Sequence, residues 1–318
     1  MARACHSHDS TVSELLERTM DSQAVLQHNP ARRTTRLLVQ ILAFFLSSAA
    51  CAEPTPLRFD HISLRQGLSN FNVMAIVQDR QGFLWMGTED GLDKYDGVQF
   101  TVYKHDPADS LSLPSSGVSS LFVGHDGNVW IGTPRGLAVS TPWDPRPRRV
   151  RIDTGGAGRP LPLEVTRILE DRRGGLWVGT ALGILYRQPG SEAFRRVFLP
   201  LNQVLFVTAI VETSNNEIWV GTGGGGIFRL HSDSNTVVLL PQLPAFGESS
   251  DFRFITTMLE DRRGFVWIGS INGLARYDPR AFTLDRFASM KESPVDLPRD
   301  LIHSIFEDRH GVIWIGST

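Results

Sequence analysis

Cysteine is almost missing from this chain. There are two in 318 residues, Cys5 and Cys51, and neither lies beyond residue 52. A disulfide framework or a cysteine-ligated metal site over the rest of the chain is excluded. Charge of one sign is missing as well. Thirty-two Lys and Arg stand against 34 Asp and Glu, a formal net of -2, so no basic field points to nucleic acid and no acidic run to a disordered tail. Long apolar runs are missing too: Leu37 to Leu46 stops at ten residues, where a membrane helix needs about 20. No HExxH, CxxC or GxSxG occurs, and the six histidines from His61 onward share no short spacing. The sequence therefore offers no metal-site motif and no nucleophile elbow.

What the chain does have is one phrase repeated. Phe83 to Gly97 reads FLWMGTEDGLDKYDG: Trp, an apolar residue, Gly, Thr, a short turn, then Gly-Leu. The same Trp-x-Gly-Thr/Ser core returns at Trp130, Trp177, Trp219, Trp267 and Trp314, with intervals from Trp85 of 45, 47, 42, 48 and 47 residues. Periods of this size belong to propeller blades of four strands, which bury their faces only by stacking. The 29 Gly and 18 Pro fit a protein of many tight turns. The expected fold class is all-β, a propeller of four-stranded blades.

Within the first repeat, short apolar or alternating runs predict strands at Val73–Val77, Phe83–Thr88, Leu92–Tyr95 and Phe100–Tyr103, separated by polar turns. Inner strands recur at Val118–Val123, Val165–Leu169, Val207–Val211, Ile255–Leu259 and Ile302–Phe306. Six residues before the Trp stands a carboxylate, Asp79, Asp171, Asp261 or Asp308, followed three residues later by Gly. Asp can accept the N–H two residues on, and Gly tolerates the positive φ of such a turn. Gly124 holds the Asp position in the second repeat, while Thr213 and Asn216 hold the two positions in the fourth. Each Trp is expected to lie between neighbouring blades, burying about 150–250 Å² of side chain. The Gly two residues on lets the next sheet approach, and the Thr or Ser closes the following turn. These are architectural roles.

Ahead of the repeats, Arg32, Arg33 and Arg36 precede the Leu37–Leu46 core, and Ala50-Cys51-Ala52 follows it. A basic flank, a short apolar core and small residues predict a signal peptide over about 32–52 and hence export. Cleavage after Ala52 would remove five basic and four acidic residues, leaving 27 against 30 and no cysteine.

Taken whole, the pattern DxxGxxWxGTxxGLxxY resembles the two-component regulator propeller repeats. Asp79 through Tyr95 is a near-ideal copy, Asp261 through Tyr277 is another, and the lead-in Phe59-Asp60-His61-Ile62 with Gln66-Gly67-Leu68-Ser69 is similar to that family's usual start. The resemblance covers roughly residues 57 to 318. It implies a periplasmic sensor region of a membrane signalling protein, whose propellers precede a transmembrane helix and a histidine kinase or diguanylate cyclase. It also implies a seven-bladed ring, of which about five and a half blades fit here. The expected organisation is an extension and signal peptide over 1–52 and a partial propeller over 53–318, a truncated sensing module without its output domain. The expected partners are the remaining propeller and output domains, with no nucleic acid, and with the membrane only through parts beyond this chain. A propeller enzyme similar to virginiamycin B lyase and a periplasmic interaction scaffold are the alternatives.

Several patterns compete for a functional role. Gly221 to Gly226 fits GxGxxG, yet Ile227–Leu230 after it reads as a strand, whereas a dinucleotide site needs a helix there. The pairs Glu170-Asp171, Glu260-Asp261 and Glu307-Asp308 recur one blade apart, too far for two carboxylates to act on one bond. Arg80, Arg172-Arg173, Arg262-Arg263 and Arg309 share those turns and read as a solvated rim or docking face. A small-molecule or carbohydrate ligand is expected at the mouth of the central channel, where loops entering the inner strands meet the turns after each Trp motif. That face would offer Asn70, Asn72, Glu89, Asp90, Arg135, Arg167 and Asn272.

Overall fold

The computed structural model describes residues 62–152, 163–199, 206–231, 237–239, 252–287 and 301–317. The signal peptide over 32–52 and the lead-in strand from Leu57, Ile62 apart, lie outside the described residues. Strands follow one another as four-stranded antiparallel meanders. The first comprises β1 (Val73–Gln78), β2 (Leu84–Thr88), β3 (Gly91–Tyr95) and β4 (Phe100–Tyr103). The second is β5 (Ser120–Val123), β6 (Val129–Thr133), β7 (Gly136–Thr141) and β8 (Asp144–Arg149). Pro145 and Pro147 sit in β8, the outer edge, where no ladder donor is required. The third is β9 (Val165–Glu170), β10 (Leu176–Thr180), β11 (Gly183–Arg187) and β12 (Phe194–Val197). The fourth is β13 (Val207–Glu212), β14 (Glu217–Thr222), β15 (Gly226–His231) and β16 (Val237–Leu239). The fifth is β17 (Ile255–Glu260), β18 (Val266–Ser270), β19 (Gly273–Asp278) and β20 (Thr283–Arg286). The sixth sheet holds two strands among the described residues, β21 (Ile302–Glu307) and β22 (Ile313–Ser317).

Inner strands pack in succession, β1 on β5, β5 on β9, β9 on β13, β13 on β17 and β17 on β21. These are the blades of a β-propeller, and among the described residues the succession does not close into a ring. The predicted strands agree with the observed ones to within about two residues. Gly221–Gly226 is the hairpin from β14 into β15, so no helix faces a phosphate there.

The Trp motif makes the seams. Trp85 packs with Val118, Val129 and Ile131 of blade 2, and Trp130 with Val165, Ile168 and Val178 of blade 3. Trp177 meets Val207, Ile218 and Val220 of blade 4, and Trp219 meets Ile255, Ile268 and Tyr277 of blade 5. Each indole thus belongs to the core of the blade after its own. Exposure follows from this. Trp85 and Trp177 are 1% and 2% exposed, Trp267 is half-buried against the two-stranded sheet, and Trp314 is 56% exposed.

The Gly after each Trp sets the spacing of the sheets. A Cβ on Gly87 would come within 2.5 Å of Val118, one on Gly179 within 2.6 Å of Val207, and one on Gly269 within 2.8 Å of Ile302. Those distances lie inside van der Waals contact, so only hydrogen fits. Inside each blade the Thr closes its turn: Thr88 donates to the Gly91 carbonyl at 3.0 Å and Thr180 to Gly183 at 2.8 Å. At the other end of the strand Asp79 Oδ1 accepts from the Gln81 and Phe83 amides, and Oδ2 from the Trp85 indole at 2.8 Å. Gly82 takes φ 92 to complete that turn. In blade 4 Asn216 takes φ 59 at the Gly position, and Glu217 replaces the Asp as acceptor for the Trp219 indole at 3.2 Å.

Candidate functional site

The expected binding face is built from two kinds of segment, the loop entering an inner strand and the turn that follows a Trp motif. The backbone ties them together. The Val118 amide, leading into β5, donates to the Thr88 carbonyl of the previous blade at 2.8 Å. The Gly224 and Gly226 amides in the blade 4 turn donate to Arg253, ahead of β17, at 3.0 and 2.9 Å.

On blade 1 these segments bring together three of the expected residues. Asn70 Oδ1 accepts from the Asn72 amide at 2.8 Å, and Asn72 Nδ2 donates to Glu89 Oε2 at 2.9 Å. An amide held against an exposed carboxylate can offer both donors and acceptors to a hydroxyl-rich ligand. Asp90, beside them, turns to Lys104 at 2.6 Å, a solvent-exposed ion pair. Arg135, Arg167 and Asn272 stand on blades 2, 3 and 5, and among the described residues no hydrogen bond links them to this cluster. Arg167, exposed on β9, donates to the Thr166 carbonyl at 2.7 Å.

Beneath the cluster lies a buried carboxylate that sequence reasoning did not single out. Asp93 in β3 is 0% exposed. Its Oδ2 accepts from the Ser69 amide at 3.2 Å and the Ser69 hydroxyl at 2.6 Å, while Oδ1 has no partner among the described residues. Burial raises its pKa, against the hydrogen bonds from Ser69 and the charge of Lys104, which lower it; Asp90 adds to the rise. The cross-strand register places Ala138 and Ala275 at the same position in blades 2 and 5, so a charge here departs from the repeat. That departure was the signal in the sequence. Its effect is to tie the segment before β1, which carries Asn70 and Asn72, onto the blade.

Two other features change the reading of the opposite face. The Glu that ends the inner strand in blades 3 to 6 reaches back across a seam: Glu170 accepts from the His125 amide, Glu212 from Arg172, Glu260 from Ser214 and Glu307 from Arg262, at 2.7–2.9 Å. The arginines expected to form a solvated rim reach forward. Arg80 donates to the His125 carbonyl, Arg172 to Thr213 at 2.9 Å and Arg262 to Arg309 at 2.7 Å. These side chains join blades while remaining exposed at the rim. A cleft of about 290 Å³ lies at the outer rim between β4 and β8, among Tyr103, Leu111, Asp144 and Arg148. Asp144 there is held at about 2 by hydrogen bonds from Arg148 and Arg146.

Fold and seams together define a β-propeller of WxG[TS] blades. The two component regulator propeller repeat matches this chain six times, at residues 66–90, 112–135, 161–181, 200–224, 249–272 and 296–318. The chain belongs to the two-component regulator propeller family. It is 41% identical over 73 residues to Histidine kinase P4 of Formosa agariphila, a match covering 23% of this chain and 5% of that protein. Among solved structures it is similar to the extracellular domain of a B. thetaiotaomicron protein, BT3049, described as a hybrid two component system. That similarity has a TM-score of 0.66 and 25% identity over 81% of this chain and 34% of the other. This chain therefore spans about a third of that structure and a twentieth of the kinase. Virginiamycin B lyase from Staphylococcus aureus shares the fold at TM-score 0.59 and 16% identity, over 77% of each chain.

Proposed function

We propose that this chain is the extracytoplasmic sensing module of a two-component-type signalling protein, binding a small molecule or carbohydrate at the channel mouth. Six two component regulator propeller repeats in register carry the reading, supported by the likeness to an extracellular domain of a hybrid two component system. Residues 1–52 would serve as extension and export signal and 53–318 as the propeller. Histidine kinase or cyclase output would come from other segments of the signalling protein. Asn70, Asn72 and Glu89 are the central ligand contacts, with Asp90, Arg135, Arg167 and Asn272 around them. A ligand signals only through differential affinity for two arrangements of the propeller. The likeness to virginiamycin B lyase is one of fold, and it supports no enzyme reading.

Two measurements test this. An alkaline phosphatase fused after residue 318 should be active only if the module is exported, and deletion of residues 1–52 should abolish that activity. Thermal-shift screening with mono- and oligosaccharides and small metabolites should find a stabilising ligand. Its effect should fall about tenfold or more in apparent affinity in Asn72→Ala or Glu89→Ala, the loss of one or two polar contacts. Loss of export, or a ligand indifferent to both substitutions, would overturn the reading.

A further inference from the structure

The cleft of about 290 Å³ at the outer rim of blades 1 and 2 shares no lining residue with the channel-mouth cluster. One wall is the end of β4 and the loop that follows it, and the other is β8. The loop wall is braced from behind. Arg149 donates to the carbonyls of Asp109, Ser112 and Leu113 at 2.7–3.3 Å. The Ser112 hydroxyl lies against the Asp106 and Asp109 carbonyls at 2.9 and 2.7 Å. The cleft is thus formed before any ligand arrives, as small-molecule sites usually are.

The two walls carry opposite charge. On β8, Arg146 and Arg148 share a single carboxylate, Asp144, at 3.2 and 2.6 Å, so one positive charge is left over. Each guanidinium has five N–H groups, and both keep donors with no acceptor among the described residues. On the loop, the Asp106 and Asp109 carboxylates each accept one backbone amide, from Ala108 at 2.9 Å and Leu111 at 2.8 Å. Neither has a cation within ion-pair distance among the described residues. Lys104, which also lines the cleft, is taken by Asp90. Between the charged groups the lining is apolar. Leu113 and Pro147 are buried there, and Leu111 is left 64% exposed.

We propose that this cleft binds a small zwitterion with an apolar side chain, an amino acid or a dipeptide, with its carboxylate on Arg146 and Arg148 and its ammonium on Asp106 and Asp109. The walls dictate the class. Guanidinium N–H groups match a carboxylate in paired hydrogen bonds, and two carboxylates without a cation call for a positive group. Opposite charge on facing walls fixes a direction across the cleft, which a neutral sugar or a simple anion would leave unused. The volume is at the low end of the range for small-molecule pockets, about 300–1,000 Å³, and so limits the ligand to one or two residues. The inference does not depend on the sensing reading at the channel mouth, and either can fail alone.

Saturation-transfer NMR titration of the full chain tests it with four probes: L-leucine, L-leucyl-L-leucine, N-acetyl-L-leucine and L-leucinamide. Leucine or the dipeptide should bind, and the tighter of the two gives the length that the cleft takes. The acetyl probe lacks the ammonium and leucinamide lacks the carboxylate, so each should bind about tenfold more weakly than that better ligand. Arg146→Gln with Arg148→Gln should weaken the zwitterion by about the same factor and leave leucinamide unchanged. Asp106→Asn with Asp109→Asn should weaken the zwitterion and leave the acetyl probe unchanged. Asn keeps the oxygen that closes each turn, and all four side chains are exposed, so melting temperatures should match wild type. No binding of leucine or the dipeptide, equal binding of all four probes, or discrimination that survives both pairs of substitutions would each overturn the proposal.

Discussion

Asp171 holds Trp177 by the edge of its indole: Oδ2 accepts the ring N–H at 2.8 Å, while Oδ1 takes the Arg173 and Gly175 amides. One buried carboxylate therefore closes the turn and aims the ring that packs into the next blade. A spacing of six residues between Asp and Trp is the span of that grip.

Asp171→Ala should cost about 2–4 kcal/mol, because three donors lose their acceptor in a site shut off from water. Asp171→Asn keeps one oxygen and should cost roughly half as much. Urea unfolding at neutral pH, monitored by Trp fluorescence, checks the order of the two variants.

Gly179→Ala puts a methyl group 2.6 Å from Val207 of the neighbouring blade, and overpacking of this kind costs about 1–3 kcal/mol. Gly316→Ala meets only the Ser304 hydroxyl of its own sheet, which can rotate away, and should cost less than about 1 kcal/mol. Equal losses at the two positions would show that the glycines serve the strand and not the seam.

Glu260→Ala should weaken the seam between blades 4 and 5 by about 1 kcal/mol, since the Ser214 amide and hydroxyl both lose their acceptor near the surface. Glu260→Gln keeps a side-chain carbonyl and should recover most of that stability. Salt should affect the Glu260→Gln difference little if hydrogen bonding, not charge, makes the clamp.

Asp93 introduces a dependence on pH. Its pKa in the fold is raised above 3.8, chiefly by burial, so the folded state binds the proton more tightly than the unfolded chain. Its contribution to stability is then fully present below pH 3.8 and is lost as pH rises through the folded value. Asp93→Asn stays neutral throughout. Melting temperature measured from pH 4 upward should therefore show the Asn variant gaining on wild type as pH rises, and parallel curves would refute the assignment.

The blades, their strand order and the role of each Trp were legible because everything that forms a blade is local. The turn Asp, the Gly of positive φ, the Trp and the Thr that closes the next hairpin lie within a dozen residues, and a single chain pattern displays them. The links between blades were not legible. Glu212 and the Arg172 amide are 40 residues apart, and Glu260 and Ser214 are 46 apart; their meeting depends on how far one sheet slides along the next. For the same reason Arg80, Arg172 and Arg262 read in the sequence only as a charged rim; they are exposed as expected, and the structure adds their hydrogen bonds to the following blade.

By itself the sequence determined a stack of four-stranded blades with an indole at every seam, because repeating turns and apolar runs suffice to dictate local strands that must bury their faces. Only the tertiary structure decided which indoles are covered. Trp177 and Trp314 share the same grip from an Asp six residues before, yet one is 2% exposed and the other 56%, since burial is conferred by the sheet that arrives next and not by the residue's own blade.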